Sequence, residues 1–72
     1  MNTNDLQAIL KHFGYFIGKV NGIWDLNTEI ALRKFQKDAG LLSLGQLDNN
    51  TLMKLELLKE QWELDEKLAY TE

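Results

Sequence analysis

This 72-residue sequence predicts an all-α fold: a three-helix bundle with a pseudo-repeat of two loop–helix units and an extended C-terminal helix. Three observations predict it. Apolar residues recur at helical spacing in three separate segments. The tetrad Gly, Asp, Asn, Thr occurs twice at one spacing, as Gly22, Asp25, Asn27, Thr28 and as Gly45, Asp48, Asn50, Thr51, each time just ahead of such a segment. Beyond the second tetrad neither glycine nor proline interrupts the chain. In each tetrad the glycine permits a positive φ, and the aspartate can accept a hydrogen bond from the first-turn N–H groups, with threonine three residues later. Internal similarity over so short a length indicates a small duplicated helical unit rather than a solenoid.

The first helix is expected at about residues 4–13. Asn4 or Thr3 can cap it, Leu6, Ile9, Leu10 and Phe13 fall at i, i+3, i+4 and i+7, and Gly14 supplies a left-handed stop. The stretch from Tyr15 to Trp24 contains Gly18 and the turn-forming dipeptide Asn21-Gly22, and is expected to be an ordered loop. The second helix follows Asp25, turns Ala31, Leu32, Phe35 and Ala39 inward, and ends at Gly40. Glu29 and Arg33, four apart, support its exposed side. Leu41, Leu42 and Leu44 then cross to the second tetrad.

The third helix starts near Asp48 and carries two apolar stripes. Leu52, Leu55, Leu58, Trp62 and Ala69 lie on one side; Met53, Leu57, Leu64 and Leu68 lie on another. A chain this short buries only about 60% of the surface it exposes when unfolded, so one modest core cannot cover both. Either the helix breaks near Lys59 or Glu60, or it continues and presents its second stripe to another chain. Lys59 with Glu63 and Glu63 with Lys67 favour continuation, each pair contributing roughly 0.2–0.5 kcal/mol. The expectation is a long helix with a face for self-association or a protein partner, using Met53, Leu57, Trp62, Leu64 and Leu68.

Composition narrows the function classes. Hydrophobic content of 44% and charged content of 26% suit a soluble domain, and no apolar run is long enough to span a bilayer. There is no cysteine and only one histidine, His12, so neither a metal site nor a cofactor is expected. The net charge is −3; Glu56 to Glu72 holds six acids and two lysines, −4, leaving +1 for the rest. Without a basic stripe, neither nucleic acid nor an anionic membrane is an expected partner. MNTNDLQAIL has neither a basic n-region nor a continuous apolar stretch, so no signal peptide is read and synthesis is expected to be cytoplasmic. Ser43 is the only serine and no His/acid arrangement accompanies it, so the chain is not expected to be an enzyme.

Over residues 5–55 the sequence resembles the peptidoglycan-binding domain family, the small three-helix module attached to many cell-wall hydrolases. The residues carrying the resemblance are Leu6-Gln7, Leu10, Gly14-Tyr15, Gly18, Asn21-Gly22-Ile23, Thr28, Phe35-Gln36, Gly40-Leu41, Gly45, Thr51 and Leu55. The chain departs from the family at Asn21 and Leu44, where aspartate is usual, and at Asp25 and Asp48, which replace the second glycine of each loop and suit helix caps. The resemblance implies a peptidoglycan-binding-domain-like unit at residues 1–55 followed by an acidic helical extension at 56–72. It implies a non-catalytic module that recognises peptidoglycan glycan or stem peptide; the missing signal peptide fits a phage-type protein released by lysis or carried in a virion, or a cytosolic adaptor. Candidate ligand contacts are Tyr15, Lys19, Asn21 and Asn27.

The other prominent residues have structural readings. Trp24, with Ile23, Leu32 and Phe35, is assigned to the core rather than to sugar stacking. Gln36, beside a core phenylalanine, is expected to tie down the backbone of a neighbouring loop. Trp62 ends the core stripe or anchors an interface. The alternative function on the same scaffold is a protein-interaction or dimerisation module that has lost wall binding.

Overall fold

The computed structural model describes residues 1–70, the last two by backbone alone. Ala69, assigned above to the inner stripe, and Glu72, counted in the acidic tail, lie outside the described side chains. Three helices make up the fold, α1 (Thr3–His12), α2 (Leu26–Asp38) and α3 (Asn49–Tyr70), with no strand among the described residues. α1 packs on both of the others.

Each helix boundary has a chemical cause. The cap of α1 is Asn2 rather than Asn4 or Thr3: its Oδ1 accepts the Asp5 N–H at 2.8 Å, so the earliest polar residue in the run takes the role. α1 ends in a Schellman motif, in which the Gly14 N–H donates to the Lys11 carbonyl at 3.1 Å and the Tyr15 N–H to that of Leu10 at 2.7 Å. α2 ends the same way, with Gly40 on Lys37 at 3.2 Å and Leu41 on Gln36 at 2.8 Å. Glu29 and Arg33 form the anticipated pair on its outer side at 3.7 Å.

The core draws Leu6, Ile9 and Leu10 from α1, Ala31, Leu32 and Phe35 from α2, Leu55 from α3, and Phe16 from the loop after α1. Leu32 and Phe35 are where the sequence places them. Phe16 lies in no periodic segment, so its burial has no signature in the spacing. Ile23 and Trp24 are corrected: they are 62% and 43% exposed. The backbone at Asn21, Gly22 and Ile23 hydrogen-bonds inward to a buried glutamine, which leaves the Ile23 and Trp24 side chains to face water.

α3 does not break. Its 22 residues extend about 33 Å, and its two stripes face different surroundings. Leu55 is buried, while Leu52, Leu58 and Trp62 are half-buried on the core side. Met53, Leu57, Leu64 and Leu68 are 59–68% exposed. Trp62 stacks on His12 of α1, centroids 4.2 Å apart and rings 11° from parallel, and its Nε1–H donates to Glu66 Oε1 at 2.8 Å. It therefore belongs with the inner stripe, apart from the four outward residues with which it was grouped.

Candidate functional site

Two buried glutamines organise the loops. Gln7, on the inner face of α1, accepts through Oε1 from the N–H groups of Gly22 at 2.9 Å and Asn21 at 3.1 Å. Its Nε2 donates to the Ile23 carbonyl and to Thr28 Oγ1, both at 2.9 Å. Gln36, on α2, treats the second loop likewise: its Oε1 accepts the Gly45 N–H at 2.9 Å, and its Nε2 donates to the Gln46 carbonyl at 2.9 Å and to Thr51 Oγ1 at 3.0 Å. The anticipated role of Gln36 is thus observed, and Gln7 shares it. The signal for Gln7 was the apolar–Gln pair, Leu6-Gln7 and Phe35-Gln36, that stands ahead of each tetrad.

The tetrads complete both arrangements. Gly22 and Gly45 hold φ of +75° and +71°, which turns their N–H groups onto the glutamines; a Cβ at Gly45 would lie 2.6 Å from Arg33 Nε. Asp25 Oδ1 accepts the Thr28 N–H at 2.9 Å and the Thr28 hydroxyl at 2.8 Å, and Asp48 Oδ1 accepts the Thr51 N–H at 2.8 Å. These bonds favour the carboxylate form and hold both aspartates below the usual 3.8, Asp25 chiefly through the Thr28 backbone and Asp48 chiefly through the Thr51 side chain. Among the described residues no buried side-chain nitrogen or oxygen lacks a partner. The inner surfaces of both loops are thus hydrogen-bonded to the two glutamines.

Several candidates are exposed on the first loop and the start of α2. Asn21 is exposed, and its Oδ1 accepts the Ile23 N–H at 3.0 Å in an Asx turn. Trp24 follows three residues on, beside the α2 cap, and Asn27 is exposed in the first helical turn. Lys19 is exposed earlier in the same loop. Trp24 is the residue that sequence reasoning placed on the wrong side.

Tyr15 stands elsewhere. Its hydroxyl donates to Asp38 Oδ2 at 3.0 Å and its ring meets Phe35 edge to face at 5.6 Å. Partial burial first, then the Asp38 hydrogen bond and charge, raise the phenol above its ordinary value. It lines a shallow groove of about 350 Å³ with Phe13, Asp38, Lys54 and Leu57. Asp38 ends α2 and Asn27 is its second residue, a helical rise of about 16 Å between them. Tyr15 and the Asn21–Asn27 surface therefore form separate places.

The Ser43 hydroxyl donates to the Arg33 carbonyl at 2.9 Å, and His12 is stacked on Trp62. Among the described residues no cluster of three or more His, Cys, Asp or Glu side chains is placed to hold a metal ion, and no helix is long and apolar enough to cross a membrane. In comparison with known families, residues 2–55 match the peptidoglycan binding domain. No curated protein and no solved structure matches the chain.

Proposed function

This chain belongs to the peptidoglycan-binding domain family, and from that membership we propose that it is a non-catalytic module that holds peptidoglycan glycan on the outer face of its first loop. One observation carries the placement: Trp24 is 43% exposed on a loop whose backbone Gln7 fixes from beneath. A pyranose presents an apolar C–H face and, in an amino sugar, a polar acetamido group. The indole supplies a flat apolar surface for the first. Asn21 and Asn27, on either side of it in the chain, supply amides for the second, and Lys19 a cation for a wall carboxylate. Since the loop is already ordered, little conformational freedom remains to be lost on binding. Tyr15, at the far end of α2, is left to hold Asp38. In this reading the protein acts at the cell wall, in a phage lysis system or joined to a hydrolase.

Co-sedimentation with purified insoluble peptidoglycan tests the proposal. The wild-type chain should pellet, and Trp24→Ala should lower the association constant by about tenfold or more. Far-UV circular dichroism should be unchanged, because the ring lies outside the core. A wild-type protein that stays in the supernatant while an established wall-binding module pellets would overturn wall binding. Equal binding by Trp24→Ala would remove the site from this loop.

A further inference from the structure

We propose that the outward face of α3 pairs with the same face of a second copy of this chain, the two helices running antiparallel. Met53, Leu57 and Leu64 are 66%, 59% and 59% exposed, and Leu68 continues the line at 68%. At about 100° per residue this stripe is centred about 160° around the helix from the inner one, with Leu57 at its edge bordering the groove beside Tyr15. Scattered exposed apolar residues are ordinary; three leucines and a methionine in line on one helix face suit an interaction surface.

The pattern on this face matches its own reverse. Its apolar spacing of four, seven and four is symmetric about the midpoint between Glu60 and Gln61. Reversal sets Met53 opposite Leu68 of the second copy and Leu57 opposite Leu64. Four of the charges beside it follow the same symmetry, Lys54 exchanging with Lys67 and Glu56 with Asp65. On one flank Lys54 then lies within two residues of the second copy's Asp65, and on the other Lys67 lies equally near its Glu56. Such an isologous contact is what a two-fold dimer requires.

Charge asymmetry along α3 selects the direction. Residues 49–59 carry two lysines and one glutamate, +1; residues 60–70 carry four acids and one lysine, −3. An antiparallel pair sets each positive half against a negative one and opposes the helix dipoles, whereas a parallel pair sets like halves together. The antiparallel pair has one like-charge approach, Glu60 beside its own copy at the axis. That contact offers a diagnostic substitution.

Sedimentation equilibrium of the full chain should show the mass rising from 8.4 kDa towards twice that value with concentration. Leu64→Glu, in an exposed position, should raise the dissociation constant at least about tenfold with unchanged helicity. Glu60→Gln should lower it, and added salt should weaken the wild-type pair. The chain has no cysteine, so orientation is read by disulfide trapping: Leu57→Cys mixed with Leu64→Cys should cross-link as a heterodimer, while neither variant should link efficiently to itself. A mass fixed at 8.4 kDa at every concentration would overturn the proposal, as would dimers unaffected by Leu64→Glu. Efficient self-linking of each variant alone, or association strengthened by salt, would overturn the antiparallel arrangement.

Discussion

Gln7 shows how much of this molecule rests on single polar side chains. It is fully buried, and its carboxamide serves Asn21, Gly22, Ile23 and Thr28 at once. Gln7→Leu nearly preserves volume but strands those backbone groups, each at a cost of roughly 1–3 kcal/mol where water cannot replace the bond. Urea unfolding should show a loss of about 3 kcal/mol or more; a loss under 1 kcal/mol would mean that the loop relaxes to water. The aspartates act through charge instead. Because their pKa values are depressed in the folded state, their stabilising contribution is present above the usual 3.8 and is lost as pH falls through the folded values. The pair Asp25→Asn and Asp48→Asn keeps the capping oxygens but removes the titration, so stability should depend less steeply on pH below about 4. Acid titration followed by circular dichroism, with an unchanged slope as the contrary result, decides it.

At the scale of elements, what the sequence revealed followed periodicity and turn chemistry. α1 and α2 are each marked by an amphipathic spacing and a glycine stop, and α3 by its two stripes with no breaker between them. The first loop was less legible. Phe16 is buried and Trp24 exposed because Gln7 draws the intervening backbone inward, a tertiary hydrogen-bond pattern with no period to betray it. As a loop aromatic, Trp24 is weighed for sugar stacking and assigned to the core, and its exposure of 43% reverses that assignment. α3 also separates into parts with different duties. Its first two turns supply Thr51 and Leu55 to the core, and its later turns carry Trp62 on one side and the outward leucines on the other. Gln61→Pro removes an N–H and clashes with the Leu57 carbonyl, a cost of about 3 kcal/mol or more to a continuous helix. The chain should lose helicity and self-association while retaining pelleting with peptidoglycan. Loss of pelleting together with helicity would show that the far half of α3 is needed by the whole fold.

Among the described residues, eight buried apolar side chains make a small core, and the two proposed surfaces lie outside it. Phe35→Ala truncates a core side chain and should cost roughly 3–5 kcal/mol, a large share of the stability of a small domain; thermal melts would show it. Pairing through the proposed α3 face would leave the first loop of each copy uncovered, and the dimer would then carry two of the proposed glycan contacts. A polymeric wall presents many equivalent sites, and once one copy is bound the second meets the wall at a raised effective concentration. Wild-type protein above its dimerisation concentration should therefore bind peptidoglycan about tenfold or more tightly than Leu64→Glu, although that substitution touches no glycan contact. On a soluble glycan fragment short enough to occupy one site, the two proteins should bind alike. Titration of both proteins against both ligands separates the cases: equal affinity for the wall would mean that the dimer presents only one loop at a time, and unequal affinity for the fragment would mean that Leu64 influences the loop itself.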